Sequence, residues 1–158
     1  MSILSRLVLQ IMTKEYKSLG LMSGTSGDGV DASIIQSDGA KKYKVLLDKY
    51  FKYPEFISSK IHNLKKKINS HTDLLKFSEE IKTLEREITI FHAESVVEII
   101  NNSKINVNFV GFHGQTIFHD SQKKISVQLG DGKLLSQLIK KDIVYNFRQN
   151  DINKGGEG

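Results

Sequence analysis

The residue types best suited to chemistry lie first in a glycine-rich segment near the start of the chain, residues 20–31. Four glycines fall between positions 20 and 29, and hydroxyl and carboxylate side chains stand between them. Glycine permits positive φ and lets another group approach without meeting a Cβ. Exposed amides and hydroxyls suit phosphate oxygens, and a carboxylate suits the magnesium ion that accompanies a nucleotide. The segment is typical of a phosphate-binding loop, and its composition also fits an ordinary hairpin.

The surroundings of this segment exclude the two common nucleotide-binding motifs. A Walker loop needs lysine followed by serine or threonine after its last glycine, and Val30-Asp31 stands there instead. A Rossmann loop opens a helix, whereas residues 30–35 are rich in β-branched side chains that favour a strand. The remaining geometry is a phosphate-binding hairpin between two antiparallel strands.

Polar residues also follow three later apolar runs of the chain. They are His113 and Gln115, then Asp131, then Arg148 and Asp151. Each has an ordinary explanation, such as a turn, a helix N-cap or a surface position. Because an α/β sheet places its ligand site at the ends of strands, the three together favour a polar-ligand site.

The elements that must position these residues alternate between strands and helices. Strands are predicted at residues 17–23, 30–37, 43–53, 107–112, 125–129 and 143–147. Helical spacing of apolar residues predicts helices at residues 55–69, 73–101 and 133–141. The domain therefore opens with three consecutive antiparallel strands. His62, His71 and His92 lie in the helical section without metal-like pairing, so we expect surface or helix-packing positions.

Composition narrows the classes of protein. A chain of 158 residues fits one domain, and such a domain buries roughly two thirds of its unfolded surface. The chain has no cysteine, which excludes disulfides and thiolate metal sites and favours the cytoplasm. The net charge of +5 forms no stripe, and its densest run, Lys65–Lys67, lies on a predicted helix. We therefore expect no nucleic-acid partner.

The first residues of the chain resemble neither a membrane anchor nor a secretory signal. Residues 1–11 are apolar but interrupted by Arg6 and Gln10, and they fall far short of the ~20 apolar residues of a membrane span. No small-residue cleavage site follows. We expect no membrane partner, a leader over residues 1–16, and translation starting at either Met1 or Met12.

Four motifs occur together in one order along the chain. They are Gly24–Asp31, Gly111–Thr116, Gln128–Asp131, and Asn146-Phe147-Arg148 with Asp151 and Gly155–Gly158. In this order they resemble the amino-terminal part of the anhydro-N-acetylmuramic acid kinases, of the sugar-kinase, Hsp70 and actin superfamily. The resemblance covers about residues 17–158. It implies an RNase H-like (actin-like ATPase) α/β lobe, whose mixed sheet opens with three antiparallel strands and carries packed helices.

The resemblance also implies an activity and a set of site residues. The family uses ATP and Mg²⁺ to phosphorylate O6 of 1,6-anhydro-N-acetylmuramic acid while water opens the anhydro ring, giving N-acetylmuramic acid 6-phosphate in cytoplasmic peptidoglycan recycling. By likeness, the ATP phosphate loop comprises Gly24, Thr25, Ser26, Gly27, Asp28, Gly29, Val30 and Asp31. Asp28 would orient a magnesium-bound water. The amino sugar would lie toward His113, Gln115, Arg148 and Asp151.

The chain departs from the family pattern in two residues and in length. Gly27 stands where leucine is usual, which we expect to loosen the hairpin, and Glu157 replaces glutamine near the proposed sugar site. Family members continue for about as many residues again, into a second lobe that holds the catalytic aspartate. We therefore expect a truncated or split kinase whose general base is unidentified and whose second lobe comes from a separate chain. The alternative is an inactive remnant that serves as a binding module.

Overall fold

The computed structural model describes residues 15–120 and 122–157, so the predicted leader and the choice of start lie almost wholly outside the described residues. The strands are β1 (Tyr16–Ser23), β2 (Gly29–Ser37), β3 (Tyr43–Lys52), β4 (Phe109–Asp120), β5 (Ile125–Leu129) and β6 (Asp142–Tyr145). The helices are α1 (Glu55–Lys67), α2 (His71–Lys76), α3 (Ser78–Ser103), α4 (Gly132–Ile139) and α5 (Phe147–Asn153).

The strands form one mixed sheet in the order β3-β2-β1-β4-β5, and β6 pairs with the first half of β4. β1, β2 and β3 are mutually antiparallel, as the sequence predicts. β4 and β6 run parallel to β1 and to each other. The carboxyl ends of β1 and β6 therefore point toward the same edge of the sheet, and β4 passes between them.

The core lies between one face of the sheet and the helices. Alternate residues of the strands point into it, such as Leu19 and Leu21 of β1, while α3 contributes Ile88 and Val96. α3 contacts α1, α4 and the four strands β2 to β5. The mixed α/β fold of the prediction is confirmed, with helices packed on a six-stranded sheet.

Two predicted elements differ clearly from the structure. The helix predicted at residues 73–101 is two helices, α2 and α3, which meet at Phe77. Ser70 caps α2, because its hydroxyl accepts from the Asp73 amide. β4 does not end at Phe112 but continues to Asp120.

The last strand is shorter than predicted and is followed by an unpredicted helix. β6 ends at Tyr145, and Asn146 adopts a left-handed conformation with φ of 61°. Because this conformation turns the chain, α5 begins at Phe147. Arg148 and Asp151 therefore lie on a short helix.

Candidate functional site

Two groups of predicted site residues lie toward one edge of the sheet. Residues 24–28 connect β1 to β2 and form the first group, which we call the loop. The second group is His113 of β4 with residues 146–148, which follow β6. Parallel strands bring these segments to one edge because their carboxyl ends point the same way.

The loop is a tight turn with an open tip. The Gly27 amide donates to the Gly24 carbonyl over 3.2 Å, and Gly27 has φ of 73°, a conformation that favours glycine. The side chains of Thr25, Ser26 and Asp28 are exposed. Among the described residues, the amides of these three donate to no protein group. The tip therefore presents N–H donors, hydroxyls and one carboxylate to solvent.

A cavity of about 680 Å³ lies beside the loop. It is lined by residues with polar or charged side chains, namely Asp28, Lys52, Tyr53, Glu55 and Ser58. The imidazole of His62 stands near it, with Nε2 at 3.9 Å from the Asp28 carboxylate. The open space required for a polar ligand is therefore present next to the loop.

Helix α1 holds the loop from one side. The Ser58 hydroxyl donates to the Gly27 carbonyl over 3.0 Å, and the Lys65 ammonium donates to the Thr25 carbonyl. A Cβ at Gly27 would lie 2.8 Å from Cγ2 of Ile61, so the Ile61 side chain already fills the space beside this glycine. The sequence predicts that Gly27 loosens the hairpin. In the structure, α1 contacts the loop at this residue.

A buried polar cluster lies beneath the entry to the loop. Ser23, the last residue of β1, has its hydroxyl 2.9 Å from the Tyr53 hydroxyl and 3.1 Å from Nε2 of His92. Nδ1 of His92 is 2.8 Å from the Ile88 carbonyl. Ser23, Tyr53 and His92 are each at most 2% exposed. The cluster therefore lies inside the core and makes hydrogen bonds among its own members.

The direction of these hydrogen bonds follows from their chemistry. Burial lowers the pKa of His92 from 6.5 to about 4, so its imidazole is neutral at pH 7. A carbonyl only accepts, so Nδ1 of His92 donates to Ile88 and Nε2 accepts from the Ser23 hydroxyl. Tyr53 then donates to the Ser23 oxygen. Burial raises the pKa of Tyr53, which keeps this donor protonated.

Gln115 reaches the loop from the sheet. Its Nε2 donates to the Gly24 carbonyl over 2.8 Å and to the Thr116 carbonyl over 3.3 Å. Two carbonyl partners identify this atom as the nitrogen. Gln115 is fully buried, and its Oε1 accepts no hydrogen bond from the described residues. The side chain therefore supports the loop from below.

A bulge in β4 sends His113 and Gln115 to different places. Leu21 of β1 pairs with Phe112, but Ser23 pairs with Gln115, so β4 has one extra residue. Gly114 sits there with φ of 75°, and a Cβ on it would lie 2.5 Å from the Leu129 carbonyl oxygen. The bulge therefore requires glycine, which explains the Gly-Gln pair of the motif.

His113 belongs to a second, much smaller cleft. Nε of Arg148 donates to Nε2 of His113 over 3.0 Å, and Nδ1 of His113 is 2.9 Å from the Gly114 carbonyl. The cleft is lined by Phe112, His113, Gln128, Gly130, Tyr145, Asn146, Phe147 and Arg148. Gln115 and Asp151 are not part of this lining. The exposed Asp151 lies further along α5, where its carbonyl accepts from the Gly156 amide over 2.9 Å.

The remaining predicted positions have structural roles. Val30 is fully buried in the core, and Asp31 lies on the exposed face of β2 between Met22 and Tyr50. Asp131 caps α4, because its carboxylate accepts from the amides of Lys133 and Leu134. This agrees with the ordinary helix-cap explanation.

Some contributors to the site were absent from the sequence prediction. Ser58 and Lys65 of α1, and Tyr53 and His92 beneath the loop, lie 30 to 69 residues along the chain from the residues at positions 23–27 that they contact. The only signal for His92 is its spacing of four residues from the buried Ile88 and Val96. Such spacing indicates a core position, which is where the structure places it.

The donor set of the loop fits a magnesium-bound nucleotide. No group of three or more metal-binding side chains occurs within residues 15–120 and 122–157. Mg²⁺ retains several waters and takes one or two carboxylates together with substrate phosphates, so a single carboxylate is sufficient. Asp28, whose side chain is 60% exposed, lies beside the open amides of the loop and would be the carboxylate of such a site.

The antiparallel β1-β2-β3 opening, the parallel β4 and β6 and the loop after β1 define an actin-like ATPase lobe. The family model of anhydro-N-acetylmuramic acid kinase matches residues 16–158. The chain belongs to the anhydro-N-acetylmuramic acid kinase family.

Curated relatives agree with this assignment. An anhydro-N-acetylmuramic acid kinase of Pelagibacter ubique is 60% identical over 147 residues, which cover 93% of this chain and 39% of the relative. Kinases of the same name from Rhodospirillum rubrum and Gluconobacter oxydans are 36% and 34% identical, over 89% of this chain and 36% and 38% of their own lengths.

The chain spans about two fifths of the length of the curated relatives it matches. In the part of the chain that the structure describes, no helix is both long enough and apolar enough to cross a membrane.

Proposed function

We propose that this chain carries the nucleotide-phosphate site of an anhydro-N-acetylmuramic acid kinase, which phosphorylates 1,6-anhydro-N-acetylmuramic acid and opens its anhydro ring. The observation that carries the proposal is the open loop tip beside a polar cavity. Phosphoryl transfer depends on positioning and charge neutralisation more than on covalent chemistry. Bound Mg²⁺ would supply charge neutralisation on the phosphates. The loop amides and hydroxyls would hold phosphate oxygens, and Asp28 would orient a magnesium-bound water.

The second cleft is the proposed side for the amino sugar. A sugar presents hydroxyl groups that donate and accept. The Arg148 guanidinium is a donor only, and the His113 imidazole has one donor and one acceptor nitrogen. Asp151 and Gln115 remain proposed at this side on the resemblance alone. The structure supports His113 and Arg148 more strongly, because they contact each other and line the cleft.

Turnover needs a base that activates water, as well as the rest of the nucleotide cleft. We propose that these come from the part of the relatives' length that the chain does not match, on the same chain or on a separate one. We also propose that the kinase acts in peptidoglycan recycling in the cytoplasm. Its substrates would be ATP and an amino sugar, and it would have no nucleic-acid or membrane partner.

Calorimetric titration with ATP and Mg²⁺ tests the loop. We expect measurable binding that weakens about tenfold in Asp28→Asn, because the variant loses the charge that faces the metal. Asp48→Asn is the matched control, since Asp48 is an exposed aspartate of β3 and does not line the cavity. Equal affinity in all three proteins, or no binding to any, would contradict the proposal.

A non-catalytic binding module is the second candidate. It is favoured by exposed apolar side chains on the sheet face opposite the helices, namely Met22, Tyr50 and Val144. A phosphorylation assay distinguishes the candidates. In this assay, the chain is mixed with the part of the Pelagibacter ubique relative that it does not match. Formation of the 6-phosphate supports the kinase, and nucleotide binding without any product supports the module.

A further inference from the structure

Two hydrogen bonds that hold the loop meet at the carbonyl of Gly24. It accepts the Gly27 amide at 3.2 Å, which closes the turn, and Nε2 of Gln115 at 2.8 Å, which approaches from beneath. The same carbonyl therefore receives one donor from the loop and one from β4. A change in Gln115 must alter the carbonyl that defines the turn.

The residue before this carbonyl is held in the same way. The Ser23 hydroxyl lies between Tyr53, which donates to it, and His92, which accepts from it. His92 is itself oriented by the Ile88 carbonyl within α3, and its ring packs edge-on against Phe112 at 4.9 Å between centroids. Ser23 and Gly24 are thus attached to α3, to the segment after β3 and to β4.

Global stability alone does not explain such a cluster. Replacing hydrogen-bonded partners in a core by apolar groups of the same shape is often neutral or stabilising. Hydrogen bonds also fix the orientation of the groups that they join, because each requires particular atoms at particular angles. The cluster is located at the end of β1, where direction decides how the loop leaves the sheet.

We propose that Gln115 and His92 are positioning residues of the phosphate loop: Gln115 acts on the Gly24 carbonyl, and His92 acts through the Ser23 hydroxyl. Neither residue contacts the nucleotide. The inference deepens the proposed function and rests on it for its consequence in ATP binding, whereas the positioning itself is a property of the unliganded protein.

Hydrogen exchange of the Gly27 amide, measured by NMR on the unliganded chain, tests the positioning directly. We expect exchange about tenfold faster in Gln115→Met and in Ser23→Ala, the factor that corresponds to one lost buried hydrogen bond. The amide of Asp38, which donates to the Lys42 carbonyl in the distant β2-β3 turn, should keep its rate.

Ser95→Ala is the matched control for the serine variant. Ser95 is a serine at 2% exposure whose hydroxyl donates to the Phe91 carbonyl within α3, away from the loop. In Ser95→Ala, the Gly27 amide should exchange at a rate within twofold of the parent rate. If Ser23→Ala does not fold, His92→Phe gives the same readout, because phenylalanine has no nitrogen that can accept from the Ser23 hydroxyl.

A second measurement separates this inference from the proposed function. Titration with ATP and Mg²⁺ should show about tenfold weaker binding in Gln115→Met and no change in Ser95→Ala. Unchanged Gly27 exchange in the folded Gln115 and Ser23 variants would overturn the positioning roles, whatever the affinity. Faster Gly27 exchange in these variants, together with no ATP binding by the parent, would keep the positioning and reject the nucleotide site.

Discussion

The loop after β1 and the His113–Arg148 cleft lie at the same edge of the sheet, but different kinds of contact support them. Beneath the loop, fully buried side chains make hydrogen bonds in the core, and α1 adds contacts from the side. In the cleft, Arg148 donates to His113, and both of these side chains are half-buried. The loop is therefore organised by buried groups within this part of the family protein, whereas the contact between Arg148 and His113 lies nearer the surface. This contrast suits a phosphate site that is preorganised.

The largest expected effect is at the bulge that separates the two regions. Gly114→Ala should lower the free energy of unfolding by about 3 kcal/mol, because the new Cβ would meet the backbone oxygen of Leu129. Gly39→Ala is a close control, since Gly39 has φ of 74° but no atom within 4 Å of a Cβ. It should lose only about 1 kcal/mol. Urea denaturation measures both, and equal losses would contradict the close approach at Gly114.

The pH dependence of stability tests the buried cluster of Ser23, Tyr53 and His92 beneath the loop. The pKa of His92 is about 4 when folded and 6.5 when exposed, so the unfolded chain binds the extra proton in this range. Stability from this group is complete above pH 6.5 and is lost as pH falls toward 4. Between pH 7.5 and 5 we expect a loss of about 2 kcal/mol, measured by urea denaturation.

Two variants locate that pH effect. His92→Phe should remove most of it, because phenylalanine does not titrate, whereas His62→Gln should retain it, because His62 is an exposed histidine of α1. If the stability of the His92 variant and that of the parent depended on pH in the same way, the cluster beneath the loop would not contain a buried neutral imidazole.

A smaller effect is expected from the surface contact between α1 and the loop. Lys65→Met should change the free energy of unfolding by less than about 0.5 kcal/mol, because solvent weakens charged contacts near the surface. Lys66→Met, next along the same helix, is the control. A loss of 2 kcal/mol in the Lys65 variant alone would show that α1, and not the buried cluster, supports the loop.

The smallest effect on stability is expected in the cleft. Arg148→Gln removes the donor to Nε2 of His113, and we expect less than about 0.5 kcal/mol of change in the free energy of unfolding. The ring nitrogen shift of His113, measured by ¹⁵N NMR, should nevertheless move. The Gly27 amide should exchange at the parent rate, and faster exchange there would show that the two regions are coupled.

The sequence predicted more of the loop than of its support. Glycines, hydroxyls and the apolar runs beside them are local features, and they indicated the hairpin and its open tip. The bulge was not predictable, because β4 looks the same as a strand ending at Phe112 followed by a His-Gly turn. The sequence could not show that Gln115 faces the loop while His113 faces the cleft, since one extra residue in the pairing decides it.

By itself, the sequence determined most of the element types, the three antiparallel opening strands and the family, since periodicity and ordered motifs are local features of the chain. Only the tertiary structure decided that His92, Ser23 and Tyr53 meet beneath the loop. Those residues come from α3, from β1 and from the segment after β3, and their contact depends on how the helices pack on the sheet. Burial then lowers the pKa of His92 and directs its hydrogen bonds, because desolvation acts only once the chain has folded.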